Sequence, residues 1–207
     1  MKSLKNSLLA IFVIASLSAC KQTDTTTLPI IGHIDIVNGD TIFHKIPAFQ
    51  FISQDDEIID NKSLASSLYI TDFFFMSCPS ICPKVKKQML RIYDRYEQQD
   101  LIKLVSHTID PKRDTPDRLK QYAENLNVNT NKWLFLTGNQ DEILDIADDY
   151  FVAAMENEDA PGGFDHSGKI LLVDTKGHIR AFADGTDPKS IDGFFHDIDR
   201  LLYEYGI

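Results

Sequence analysis

Phe73-Phe74-Phe75-Met76-Ser77-Cys78-Pro79-Ser80-Ile81-Cys82-Pro83 joins an apolar run to a charged one, with two cysteines at the junction. Tyr69 to Met76 is apolar almost throughout, as a strand buried on both faces would be. After the junction, Lys84 to Gln98 carries Val85, Met89, Ile92 and Tyr96 at helical spacing with charge between them. The stretch therefore reads as strand, turn and helix N-terminus. Pro83 suits the first helical position, where a missing N–H costs nothing. Cys78 then falls in the turn and Cys82 at or beside the N-cap. Unpaired backbone N–H groups and the positive helix end favour thiolate over thiol there. Two thiolate-prone sulfurs side by side can exchange with disulfides, bind a soft metal, or do both. A purely structural disulfide is the bland alternative. It is a poor staple, because a bridge closing so short a loop removes little chain entropy.

The cysteine count sharpens this reading. The chain has three cysteines in 207 residues. Lys2 and Lys5 precede a short apolar segment, Ser7 to Leu17, too short to span a bilayer as a finished helix. Leu17-Ser18-Ala19-Cys20 follows and resembles the lipobox of bacterial lipoproteins, where cleavage precedes a cysteine that then receives lipid. The expected organisation is a signal peptide over 1–19, a lipidated Cys20 with a polar tether over 20–29, and a folded domain over 30–207. Several acyl chains on one residue give a firm anchor. That leaves only Cys78 and Cys82 as thiols, which is not the framework of a disulfide-stapled scaffold. The roughly 180 residues of the domain suffice for one core without staples.

Charge excludes one large class of partner. The net charge is −10, from 21 basic and 31 acidic residues, and without Lys2 and Lys5 the balance is 19 against 31, or −12. This argues against nucleic acid and against a basic face for anionic lipid. Asp148-Asp149 and Asp55-Asp56 read as solvated faces, and no Ser/His/Asp order, phosphate loop or zincin helix is present.

Along the chain, Ile30 to Ile36 and Thr41 to Ile46 flank Asn38-Gly39-Asp40, a hairpin signal. Ala48 to Ile52 and Ile58-Ile59 flank a second turn, and Asn61 is placed to cap a short helix through Leu68. Ile102 to Ile109 is a second buried strand. Thr115 is a candidate N-cap with Pro116 after it, opening a helix with Leu119, Tyr122, Ala123 and Leu126. Trp133 to Thr137 is a strand and Asp141 to Phe151 an acidic helix. Ala160-Pro161-Gly162-Gly163 breaks the chain, Ile170 to Val173 and Ile179 to Ala183 form a strand–turn–strand, and Pro188 to Tyr205 is the last helix. The predicted fold class is α/β: a thioredoxin-like mixed central sheet with helices on both faces, plus an N-terminal β-hairpin.

A sulfur pair suits Cu(I) or Zn(II), but two ligands rarely suffice, and zinc usually takes four. Of the six histidines, His33, His44, His107, His178 and His196 sit in hairpin, strand or helix contexts, as surface or satisfied core residues do. His107 stands out by lying inside a buried strand. His166 follows a Gly-rich break in Gly163-Phe164-Asp165-His166-Ser167-Gly168, just before a strand. A loop there can approach the cysteine turn and offer a third ligand, with Asp165 placed to orient the imidazole. Met76 reads as core.

With these residues assembled, the chain resembles the Sco/SenC family of thioredoxin-like copper-handling proteins linked to cytochrome c oxidase assembly. The resemblance rests on Phe75 to Pro83, on Val105-Ser106-His107-Thr108-Ile109-Asp110-Pro111-Lys112-Arg113-Asp114-Thr115-Pro116, and on Asp165-His166-Ser167 before Ile170-Leu171-Leu172-Val173-Asp174. It implies copper, Cu(I) or Cu(II), held by Cys78, Cys82 and His166. Ser80 and His107 depart from the common pattern, the first standing where an acidic residue is frequent and the second where a small one is. The implied function is that of a membrane-anchored carrier delivering copper to a respiratory cytochrome c oxidase. The enzymatic alternative is a thiol–disulfide reductase using Cys78 and Cys82 as its redox pair, to keep a partner's cysteines reduced. A peroxidase is disfavoured, because Met76 and Ser77 stand where a threonine-bearing loop would be needed. The expected partners are a copper-receiving oxidase subunit or other cuproprotein, and the membrane through lipid on Cys20. No nucleic acid is expected, and the chain is read as a monomer. The expected location is that of an exported lipoprotein, anchored to a cell-envelope membrane through Cys20 with its domain in the periplasm or outside the cell.

Overall fold

A computed structural model describes residues 27–207. The expected leader over 1–19, Cys20 and the tether as far as residue 26 lie outside the described residues. Leu28 is buried, and its N–H donates to Glu204 Oε1 at 2.5 Å.

The first ordered element is the ribbon of β1 (Ile34–Val37) and β2 (Asp40–Phe43), turning at Asn38-Gly39. Both turn residues have positive φ, +53° and +89°, as a two-residue hairpin turn requires. All eight strand residues are exposed. The antiparallel pair β3 (Gln50–Ser53) and β4 (Ile58–Asp60) follows, then a single helical turn, α1 (Asn61–Leu64). Asp60, not Asn61, caps this turn, accepting from the Ser63 N–H at 2.8 Å. Asn61 is used otherwise: its side chain bonds the Phe49 N–H and the Pro47 carbonyl. The helix stops at Leu64, short of the expected Leu68.

Strand β5 (Leu68–Phe74), helix α2 (Cys82–Tyr96), strand β6 (Ile102–Thr108), helix α3 (Pro116–Leu126) and strand β7 (Trp133–Thr137) form two parallel crossovers. Helix α4 (Gln140–Asp149) leads to a small ribbon, β8 (Ala154–Glu156) and β9 (Phe164–His166). The hairpin β10 (Lys169–Val173) and β11 (Ile179–Asp184) and helix α5 (Pro188–Glu204) complete the chain. The central sheet runs β11-β10-β5-β6-β7-β3-β4. Its three middle strands are parallel and the flanking ones antiparallel.

The sheet is covered on both sides. Tyr93 of α2 packs its ring on Trp133, Tyr122 of α3 stacks on Phe74, and α5 is tied to α2 through Arg91–Asp192 and Arg95–Asp199. On the other face Tyr150, which ends α4, contacts Phe73 and His107 and bonds the Tyr69 hydroxyl at 2.8 Å. Every residue of β5 and β7 is buried, the pattern of strands enclosed by helices. This is the thioredoxin-like arrangement expected, with its N-terminal hairpin.

Candidate metal centre

Strand β5 ends at Phe74, and the chain turns over Phe75 to Ile81, with the Cys78 N–H bonded to the Phe75 carbonyl at 3.2 Å. Ile81 is the N-cap of α2 and has no side-chain cap bond, so Cys82 is the first helical residue and Pro83 the second. The proline thus sits one position deeper than expected, still among residues whose N–H has no partner in the helix.

His166 arrives from a strand rather than a loop. The sequence hides β8 and β9, because each is only three residues long and a Gly-rich stretch separates them. Ala154 pairs with His166 across the ribbon. The ribbon's loop can lie against the cysteine turn because residue 162 is glycine. A Cβ there would come within 2.6 Å of the Phe75 ring, and φ is +87°. Phe75 is the shared wall, its ring 5.3 Å from those of both Phe164 and His166.

The result is a close three-atom set. Cys78 Sγ lies 3.4 Å and Cys82 Sγ 3.5 Å from His166 Nε2, although 88 and 84 residues separate them in sequence. All three ligand atoms lie within 4.8 Å of one another, and both cysteines are free thiols. Two sulfurs and an imidazole nitrogen fit a soft or borderline ion. Among the described residues the buried Nδ1 of His166 has no hydrogen-bond partner, so none of them engages the ring on its far side.

The two thiols are not equivalent, contrary to the symmetric expectation. Burial pushes Cys78 up, but hydrogen bonds from Ser80, the backbone N–H groups of Cys82 and Ser80, and His166 outweigh it and bring the thiol down to about 6. Ser80, seen in the sequence only as a departure, lies 3.5 Å from the Cys78 sulfur. Burial pushes Cys82 well above the ordinary thiol value, with Cys78 and the buried Asp72 adding to the rise. Asp72 is itself pushed up to about 6 by burial, although Ser106 donates to it. Position at a helix end speaks for local N–H groups, but at Cys82 burial outweighs them.

Asp165 does not orient His166. Neighbouring strand residues point to opposite faces, and the Asp165 carboxylate accepts from Asn157 Nδ2 at 2.5 Å instead. Met76 lies against the core, as expected. Its N–H donates to Asp114 Oδ2 at 2.9 Å, and that carboxylate also accepts from Thr108 Oγ1 at 2.7 Å. Next to it, Arg113 Nη2 donates to the Gly162 carbonyl at 3.0 Å. The loop after β6 therefore braces both the cysteine turn and the histidine ribbon. Only the fold shows what these residues reach, so the sequence assigns them no role. Thr115 does cap α3 by position, but its hydroxyl makes no cap bond. His107 is fully buried among Phe49, Phe51, Phe73 and Tyr150, with no partner on either nitrogen among the described residues, so it is core but not satisfied.

Comparison with known proteins agrees with this architecture. The family model described as SCO1/SenC matches residues 40–202. An SCO2-like protein of Rickettsia typhi is 31% identical over 193 residues, covering 90% of this chain and 93% of the relative. Among solved structures, BsSco, described as a member of the Sco family of cytochrome c oxidase assembly proteins with a disulfide switch, aligns with a TM-score of 0.65. It is 25% identical, over 76% of this chain and 93% of that one. Arabidopsis thaliana ScoI, solved with copper bound, aligns with a TM-score of 0.62 and 26% identity, over 74% of this chain and 98% of that one. With its family model spanning the sheet, the cysteine turn and the histidine ribbon alike, the chain belongs to the SCO1/SenC family.

Proposed function

We propose that this protein is a membrane-anchored copper carrier that supplies copper to a respiratory cytochrome c oxidase. Its cargo site is Cys78, Cys82 and His166. The observation that carries the reading is the convergence of two free sulfurs and one imidazole Nε2 within 4.8 Å. The copper-bound Arabidopsis relative and the assembly role given for BsSco support it. Cys78 is poised to offer thiolate near neutral pH, and Cys82 must give up its proton to join it, so uptake releases protons and requires both sulfurs reduced.

The test is a copper titration of the reduced protein beside His166→Ala, reading bound metal and sulfur-to-Cu(II) charge-transfer absorption together. One copper per chain is expected, weakened by about 100-fold or more in the variant, because loss of a ligand exceeds the 10–100-fold typical of an outer-shell partner. Binding indifferent to His166 would remove the three-ligand site. The weight would then move to thiol–disulfide reduction of a partner, with Cys78 attacking and Cys82 resolving. The unequal acidity of the two thiols favours that second reading.

The anchor is the lipid expected on Cys20, which holds the domain at the outer side of the inner membrane or on another envelope surface. Cys20→Ser should move the protein from the membrane fraction to the soluble one. Retention in the membrane fraction would show that something else holds it.

A further inference from the structure

The base of the N-terminal ribbon holds a pair of imidazoles. The His44 N–H bonds the His33 carbonyl at 2.8 Å, one step below the Ile34–Phe43 pair. The two residues are therefore cross-strand neighbours on one face, with Cβ atoms about 5 Å apart. Their ring centroids are 5.7 Å apart at an interplanar angle of 80°. A metal held at about 2.0–2.1 Å from an imidazole nitrogen lies about 3 Å from the ring centroid, so two rings sharing one ion sit about 5–6 Å apart.

The tautomer of His44 is fixed in the required sense. Its Nε2 lies 2.8 Å from the Asp149 carbonyl oxygen, which can only accept, so Nε2 carries the hydrogen and Nδ1 the free lone pair. A ring N–H donated to a backbone carbonyl is the usual support of a metal-binding histidine. That carbonyl belongs to the last residue of α4, and a helix C-terminus favours a nearby cation. Phe151 closes one side, its ring 4.8 Å from His44 and 5.5 Å from His33. It does so from φ +55°, a left-handed conformation that is strained for a bulky residue. His33 is exposed and His44 half-buried, so a hydrated ion can reach both.

We propose that His33 and His44 form a second metal site, separate from the sulfur centre. It would take a borderline divalent ion, Cu(II) ahead of Zn(II) or Ni(II), with water completing the coordination. The site ties the exposed β1–β2 ribbon to the end of α4. It lies a short way along the chain from the sulfur centre, since Phe151 precedes by three residues the Ala154 that pairs with His166.

The test removes the sulfur centre first. The full chain in detergent, carrying Cys78→Ser and Cys82→Ser, is dialysed against Cu(II) and examined by electron paramagnetic resonance. One bound Cu(II) with coupling to two imidazole nitrogens is expected. His33→Ala and His44→Gln should each weaken it by about tenfold or more, whereas His178→Ala should not. Glutamine at 44 keeps an N–H donor for the Asp149 carbonyl, so a lost signal there is not a lost helix cap. No uptake, or uptake unchanged by both substitutions, would overturn the proposal, as would uptake that disappears only with His166→Ala. Because the sulfur ligands are absent throughout, none of these outcomes depends on the function proposed above.

Discussion

His107→Leu stabilises the protein, by about 1–3 kcal/mol at neutral pH, and flattens its loss of stability in acid. His107 is fully buried and packed flat on Phe73, with ring centroids 4.9 Å apart. Neither of its nitrogens has a partner among the described residues, and an unsatisfied buried donor costs about 1–3 kcal/mol. Leucine is of similar size and leaves nothing unsatisfied. Burial also drives the imidazole pKa down to about 3 from its ordinary 6.5. The unfolded chain therefore binds this proton at a higher pH than the folded one. Stability is lost as pH falls below 6.5, and the loss continues to about pH 3, where the folded imidazole is protonated in turn. At about 1.4 kcal/mol per pH unit, the term reaches about 2 kcal/mol at pH 5 and approaches 4–5 kcal/mol at its limit. Urea denaturation of both proteins at pH 7 and pH 5 measures it. The gap between them should widen at pH 5. Parallel behaviour of the two proteins would mean that the ring finds a partner or a proton in the native state.

Arg180→Met is expected to cost about 3 kcal/mol, near the low end for breaking a buried ion pair. Arg180 is buried on β11 and gathers three parts of the chain. Nη2 donates to the Leu28 carbonyl at 2.6 Å and to Glu204 Oε2 at 2.7 Å, Nη1 to Asp174 Oδ2 at 3.2 Å, and Nε to the Pro29 carbonyl at 3.2 Å. Removing the guanidinium leaves two carboxylates facing each other with no cation between them. The cost stays at the low end because Asp174 keeps the N–H bonds of Lys176 and His178, and Glu204 keeps that of Leu28. Lys112→Met is the control. It breaks the 3.6 Å pair with Glu156, whose partners are 75% and 60% exposed, and should cost no more than about 1 kcal/mol. Equal losses from the two variants in denaturant titrations would show that the buried network carries no special weight.

The elements whose signals are local and long are legible in one dimension. β7 and the span of α5 follow from apolar period, proline position and turn chemistry, and so does the hairpin at Asn38-Gly39. The sequence also marks which three residues to watch, because a cysteine pair at a strand–helix junction and a histidine beside a glycine break are visible in one dimension. The fold decided everything that depends on what lies across from what. Residues 84 and 88 positions apart meet at 3.5 and 3.4 Å only because β10 returns antiparallel beside β5 and the short β8–β9 ribbon carries His166 over the turn. The ribbon escaped detection because three residues give no readable alternation, and its pairing is enforced by Phe75 and Gly162 rather than by its own propensity. The asymmetry between Cys78 and Cys82 was equally invisible. It depends on which groups donate to Cys78, on the burial that outweighs such bonds at Cys82 and on Asp72 coming near Cys82, and spacing encodes none of these. The same holds for Asp114, whose single carboxylate joins the cysteine turn to the end of β6, and for His107, whose isolation is a property of four aromatic rings drawn from distant segments. Periodicity records which face of an element is buried; only the packed structure records which polar atoms find partners there.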